Sequence, residues 1–260
     1  MQKLILENLK KIEVERECKI LFAIESGSRV WGFPSINSDY DARFVYIKKP
    51  EHYLSIDEKR DVIEVPIDGD LDINGWDIRK ACRLFRKFNP TLMEWLVSDI
   101  VYMDDFGFRQ ELLKLAPDAF SLSAVVFHYM NMAKSNFREY LQGNEVRTKK
   151  YFYVLRPIFA AEWAIRHVGI PPIKFQDTMN EISIANNVRN EIDKLLEIKM
   201  SGVELGTGSR NDILNSFIQQ KLEEITGIVN NHKLDDKKVD ITPELDNIFR
   251  NYLNRAWSIN

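Results

Sequence analysis

Cysteine is scarce in this 260-residue chain, which has only Cys18 and Cys82. Two cysteines cannot build a disulfide framework, and neither has a second at Cys-x-x-Cys spacing. Both are therefore expected to be reduced and buried. Long apolar runs are missing too: charge interrupts every hydrophobic stretch below bilayer-spanning length. The opening Met-Gln-Lys-Leu-Ile-Leu-Glu lacks the apolar core of a signal peptide. A cytoplasmic protein with no membrane association is expected. There is no basic excess, since 36 Lys and Arg stand against 39 Asp and Glu, a net charge of -3. That balance excludes wholesale coating of nucleic acid and leaves room for a local basic groove. Repeats and low-complexity tracts are absent. His52, His128, His167 and His232 have no partner at metal-ligand spacing and read as structural. Gly206-Thr-Gly-Ser209 follows no strand and lacks a Walker lysine, so it reads as a loop.

Two kinds of pattern fill the chain, and they change near residue 105. Before it, short β-like runs dominate: residues 19–25 and 41–47, then Val62–Ile67 and Leu71–Trp76 around the hairpin signal Asp68-Gly69-Asp70. Helices are predicted at 2–17 and from about Ile78 to Phe88, the latter N-capped by Asp77 and stopped by Asn89-Pro90. Thr91 and Glu94 form a capping-box pattern for the next helix. After residue 105, helical periodicity recurs near 106–116, 122–142, 149–168, 187–200, 210–230 and 243–257, with Gly202–Gly208 as a loop. The expected fold class is α+β: a mixed sheet with helices over residues 1–104, followed by an all-helical domain over 105–260.

Chemistry concentrates in residues 27–41. The predicted strand 19–25 ends at Ser26-Gly27. A glycine there lets the backbone approach an anion closely, the Ser28 hydroxyl adds a donor, and Arg29 adds a charge suited to a triphosphate. Asp39 and Asp41 are two apart at the start of the next strand, so their carboxylates share a face. Converging carboxylates are costly without a cation between them, and hard oxygen ligands suit Mg²⁺ or Mn²⁺. An isolated Asp-x-Asp is more often a polar turn. Here it follows a strand and Gly-Ser turn by about a dozen residues and opens directly into an apolar strand, a far more specific composite.

The string Gly-Ser-Arg-x-Trp-Gly-Phe-x-Ser-x-x-Ser-Asp-Tyr-Asp resembles the core motif of the DNA polymerase beta-like nucleotidyltransferase superfamily. More closely, it resembles the RlaP type, which is associated with RNA repair. Leu71–Lys80, Asn89–Leu96 and Lys149–Pro157 carry the resemblance onward. It implies a nucleotidyltransferase fold with two metal-binding aspartates on one strand and a third carboxylate on a later strand. Asp72, lodged between Leu71 and Ile73, and Asp77 compete for that third place; Asp77 also has a sufficient role as an N-cap. Lys80, beside Arg79, puts positive charge in the first turn of a helix, against the dipole, as if an anion lay nearby. Trp31 and Phe33 are expected to pack beneath the phosphate turn.

In the helical half, Arg147, Lys149, Lys150 and Arg156 interleave with Tyr151 and Tyr153 without an acidic residue. A helix would put Lys149, Tyr153 and Arg156 or Pro157 on one face and pair Lys150 with Tyr153, so that Lys150, Tyr153 and Arg156 are candidates to meet triphosphate, base or acceptor. The sequence therefore points to transfer of a nucleoside monophosphate from an NTP to an acceptor hydroxyl, with pyrophosphate leaving. Asp39, Asp41 and Asp72 would hold the metal. Gly27, Ser28, Arg29 and Lys80 would hold phosphate. An RNA 3′ end is the acceptor the resemblance implies, and a protein or small molecule fits the same chemistry. The alternatives are a catalytically silent nucleotide- or RNA-binding module and an antitoxin-like partner of another protein. The sequence leaves oligomeric state open.

Overall fold

The computed structural model describes residues 1–258 apart from 36, 68, 203–205, 232–233 and 235–238. His232 and Asp68 thus lie outside the described residues, as does part of the 202–208 segment. Through the first 120 residues the elements are α1 (Gln2–Glu15), β1 (Cys18–Glu25), α2 (Gly27–Val30), β2 (Tyr40–Lys48), α3 (Pro50–Tyr53), β3 (Val62–Glu64), β4 (Leu71–Asp77), α4 (Ile78–Arg86), α5 (Pro90–Val97), β5 (Val101–Met103) and α6 (Phe108–Ala119). Then come α7 (Leu122–Tyr140), β6 (Glu145–Arg147), α8 (Lys150–His167), α9 (Phe175–Asn180), α10 (Asn186–Met200), β7 (Thr207–Ser209), α11 (Asp212–Asn231) and α12 (Thr242–Trp257).

The chain divides into two compact units. One holds Met1–Val30, Asp39–Phe120 and Lys237–Asn260; the other holds Trp31–Ser38 and Ser121–Asp236. The division falls at 120/121 rather than at the expected 104/105. It also exchanges two pieces, because α6 and α12 pack with the sheet and the strap 31–38 packs with helices.

The first unit is built on a five-stranded mixed sheet in the order β3-β4-β2-β1-β5. β2 pairs antiparallel with β1 and parallel with β4. One face is apolar because Ala42, Phe44 and Tyr46 alternate out of β2, while Leu71 and Ile73 alternate out of β4. Ile5, Leu9 and Ile12 of α1 bury that face. Parallel register pairs Phe44 with Gly75. A Cβ at Gly75 would come within 2.2 Å of the Phe44 ring, so glycine makes the space that the phenylalanine fills. The opposite face carries Phe22, stacked on Phe108 of α6. α12 closes this unit: Tyr252 donates its hydroxyl to Glu111 Oε2 at 2.7 Å, and Trp257 Nε1 donates to the Lys48 carbonyl at 2.8 Å.

Several local expectations change. β3 ends at Glu64 rather than Ile67. The cap of α5 is Asn89, whose side chain accepts from Leu92 N, with Pro90 at the first helical position. Proline there has no N–H to satisfy and a φ already suited to a helix, so Thr91 falls inside the helix instead of capping it. Asp77 caps α4 as predicted, accepting from Arg79 N.

Among the described residues, the second unit's regular structure is helical apart from a two-stranded ribbon in which Thr207–Ser209 pairs with Glu145–Arg147. Part of the segment read as a loop is therefore a strand. The long helix α8 is buried along most of its length, and Phe159 packs on Phe175 of α9. The strap 31–38 belongs to this core: Phe33 stacks on Phe152 at 5.0 Å and meets Phe175 edge-on.

Candidate active site

The site begins at the end of β1. Its last residue, Glu25, is fully buried. A buried carboxylate needs partners, and this one accepts from the backbone N–H of Asp41 at 3.0 Å and from the Tyr102 hydroxyl. Burial is the largest influence on Glu25 and pushes its pKa up; the bonds from Tyr102 and Asp41 and the charge of Arg29 pull the other way. Glu25 thus holds the backbone of the second strand where the acidic residues begin.

Gly27 follows, with φ +65. A Cβ built on it would lie 2.1 Å from Asp41 Oδ2, so any side chain would displace that carboxylate. The backbone turn of 27–30 and the Asp41 side chain are in this sense one object. Arg29 lies over the Tyr40 ring at 3.5 Å and donates Nε to the Asp39 carbonyl at 3.2 Å. Gly27 and Arg29, two of the residues predicted to bind phosphate, therefore frame the start of β2.

Asp39 is exposed just before β2, and Asp41 is its second residue. Parallel pairing places Asp41 directly beside Asp72. Both carboxylates lie on the face opposite the α1 core, because Ala42 and Ile73 point into that core. Burial raises the Asp41 pKa most. The Arg43 charge lowers it, and the charges of Asp72 and Asp39 raise it. Asp77 lies at the other end of β4, five residues or roughly 16 Å along the strand at about 3.3 Å per residue. There it is buried and takes the hydroxyl of Tyr53 at 2.9 Å as well as Arg79 N.

Arg43 shares the face with Asp41. Its Nη2 donates to Asp41 Oδ1 at 2.9 Å and to Asp72 Oδ2 at 2.7 Å, while Nη1 donates to the carbonyls of Asp72 at 2.9 Å and Ala42 at 3.2 Å. Among the described residues no group of three or more His, Cys, Asp or Glu is closed up as a metal site. The donor chemistry nonetheless fits a hard divalent cation, because two carboxylates on neighbouring strands already converge on one positive group.

Sequence reasoning missed Glu25 and Arg43, and both had signals. Glu25 is a charge closing an otherwise apolar strand. Arg43 stands two residues after Asp41 and so shares its face.

The other predicted residues are placed differently. Lys80 Nζ pairs with Asp61 Oδ1 at 3.2 Å, and the Asp61 carbonyl accepts from Asp77 N. This lysine therefore works at the far end of β4 from Asp72, which explains its place in the first turn without a phosphate. In the helical unit, Arg156 is buried with its guanidinium 4.3 Å from the Trp31 ring. Lys150 lies over the rings of Tyr140 and Tyr153 at 3.9 and 4.6 Å. Tyr153 is half-exposed and meets Trp31 edge-on. The basic tyrosine stretch is thus partly an internal aromatic cluster with Trp31, not a uniformly open basic face.

The five-stranded mixed sheet with its helices defines an α+β protein. The model of the RlaP family, the RNA repair pathway DNA polymerase beta family, matches residues 1–251, and the chain belongs to that family. It is 48% identical over 257 residues to the Bacillus subtilis (strain 168) protein YcgL, covering 99% of this chain and 98% of that one. A crystal structure of a nucleotidyltransferase-like protein from Exiguobacterium sibiricum 255-15 aligns over 96% of this chain and 91% of the other. It has 8% identity and a TM-score of 0.31, a likeness too distant to carry weight. No helix among the described residues is long and apolar enough to cross a membrane.

Proposed function

We propose that the chain transfers a nucleoside monophosphate from an NTP to an acceptor hydroxyl. The observation that carries this is the side-by-side register of Asp41 and Asp72 against the Gly27 turn. Asp39, Asp41 and Asp72 would hold Mg²⁺ or Mn²⁺. A bound divalent ion would supply charge neutralisation at the reacting phosphate. Gly27 and Ser28 line the turn where the β and γ phosphates would sit. Arg29, fixed by Tyr40 and the Asp39 carbonyl, would offer the neighbouring charge. Lys80, paired with Asp61, is left out of this reading.

Asp72 would accept the acceptor's proton as its oxygen attacks the α phosphorus. The bond from that phosphorus to the bridging oxygen then breaks, and pyrophosphate leaves. Family membership favours an RNA 3′ end as acceptor. Of Lys150, Tyr153 and Arg156 in the helical unit, Tyr153 is the exposed one, while Arg156 is buried against Trp31.

The test incubates the protein with each α-labelled NTP, Mg²⁺ or Mn²⁺, and pooled RNA, protein or small-molecule acceptors. Transfer of label that Asp41→Ala abolishes, at least a hundredfold below wild type, is the expected result. Intact nucleotide binding with no label transfer and no pyrophosphate would leave a silent binding module instead.

A further inference from the structure

The carboxylates assigned to the metal are already in use. Arg43 Nη2 spans Asp41 Oδ1 and Asp72 Oδ2, and both bonds are short enough to be charge-assisted. The guanidinium is anchored at its other nitrogen by two backbone carbonyls, so only one end of the fork faces the carboxylates. The side chain is about one-fifth exposed, in surroundings where such a pair is screened less than at an open surface. Without a cation, three neighbouring carboxylates would repel one another, and Arg43 relieves that repulsion.

A divalent ion would draw on the same two carboxylates, of which Arg43 engages one oxygen each. Mg²⁺ demands near-ideal octahedral oxygen geometry, and a carboxylate held by a guanidinium N–H is restricted in how it can turn to meet it. The two positive groups would also repel. Metal binding and closure by Arg43 therefore oppose each other at this pair.

We propose that Arg43 is a built-in counter-cation of the Asp41–Asp72 pair, that it opposes the binding of a divalent ion there, and that it so sets the metal affinity. Its anchored nitrogen keeps the side chain in place. This rests on the reading of Asp41 and Asp72 as metal ligands.

The experiment titrates Mn²⁺ into metal-stripped wild type, Arg43→Gln and Arg43→Lys, following free Mn²⁺ by electron paramagnetic resonance. Arg43→Gln is expected to bind about tenfold tighter or more, as the charged hydrogen bonds of Arg43 no longer compete. Arg43→Lys should fall between. Equal or weaker binding by a folded Arg43→Gln overturns the proposal. Should that variant fail to fold, the wild type decides: the Arg43 guanidinium nitrogen resonances must shift on saturation with diamagnetic Mg²⁺, and unchanged resonances overturn it. Label transfer without tighter binding in Arg43→Gln refutes the role of Arg43 alone. Tighter binding without label transfer in any acceptor pool refutes the transferase reading alone. No Mn²⁺ binding by any of the three proteins refutes both.

Discussion

Glu25 does its work through another residue's backbone. It is fully buried, yet it fixes the amide of Asp41 and receives the Tyr102 hydroxyl. Its stability contribution has a definite sign with pH. Burial holds its folded pKa above the ordinary 4.5, so the folded state binds the proton more tightly than the unfolded chain. The stability tied to that proton is present below the ordinary value and is lost as pH rises through the folded one. Glu25→Gln keeps an acceptor for Asp41 N and removes the titration. Its melting temperature relative to wild type should therefore climb from pH 4 to pH 7 in metal-free protein. A constant difference across that range would mean that folding does not raise the Glu25 pKa.

Among elements, the pairing of β2 with β4 decides the site, and it depends on Phe44 filling the space left by Gly75. Gly75→Ala should cost about 1–3 kcal/mol in urea unfolding, as overpacked cores do. Combined with Phe44→Leu the costs should be less than additive, since the smaller side chain vacates the contested volume. Additive costs would show that the two residues do not compete.

This pairing also marks how far the sequence could be read. Strand identity was legible because apolar alternation is a local property, and so was the cap at Asp77. Which carboxylate joins Asp41 was not local: Asp72 and Asp77 both sit in β4, and only the register across to β2 separates them. The counter-ion of Lys80 was hidden likewise, since Asp61 stands 19 residues away in a segment without periodicity. Arg43 could have been found from its spacing alone. The basic stretch 147–156 misled because a cation beside aromatic residues reads the same whether it is solvated or, like Arg156 on Trp31, buried.

For the whole molecule, neither unit is a continuous piece of chain. The sheet unit takes its last helix from residues 242–257 and lends the strap 31–38 to the helical unit. α12 brings Tyr252, Trp257 and Phe249 to Glu111, Lys48 and Tyr53. A fragment of residues 1–120 would keep every strand of the five-stranded sheet and still expose the surface that α12 covers. It is expected to lack a cooperative thermal transition, which the full chain should show by circular dichroism. A fragment that melts cooperatively with the far-ultraviolet signature of the intact sheet would show that α12 is dispensable.

The contact between position 27 and Asp41 bears on how relatives of this protein can be sorted. Every amino acid other than glycine carries a Cβ, so every substitution there places an atom where the Asp41 carboxylate now lies. A homologue that retains both aspartates but has any side chain at this position keeps the letters of the motif without room for its geometry. Inactive descendants of the family should therefore be recognisable at the glycine before any acidic residue is lost.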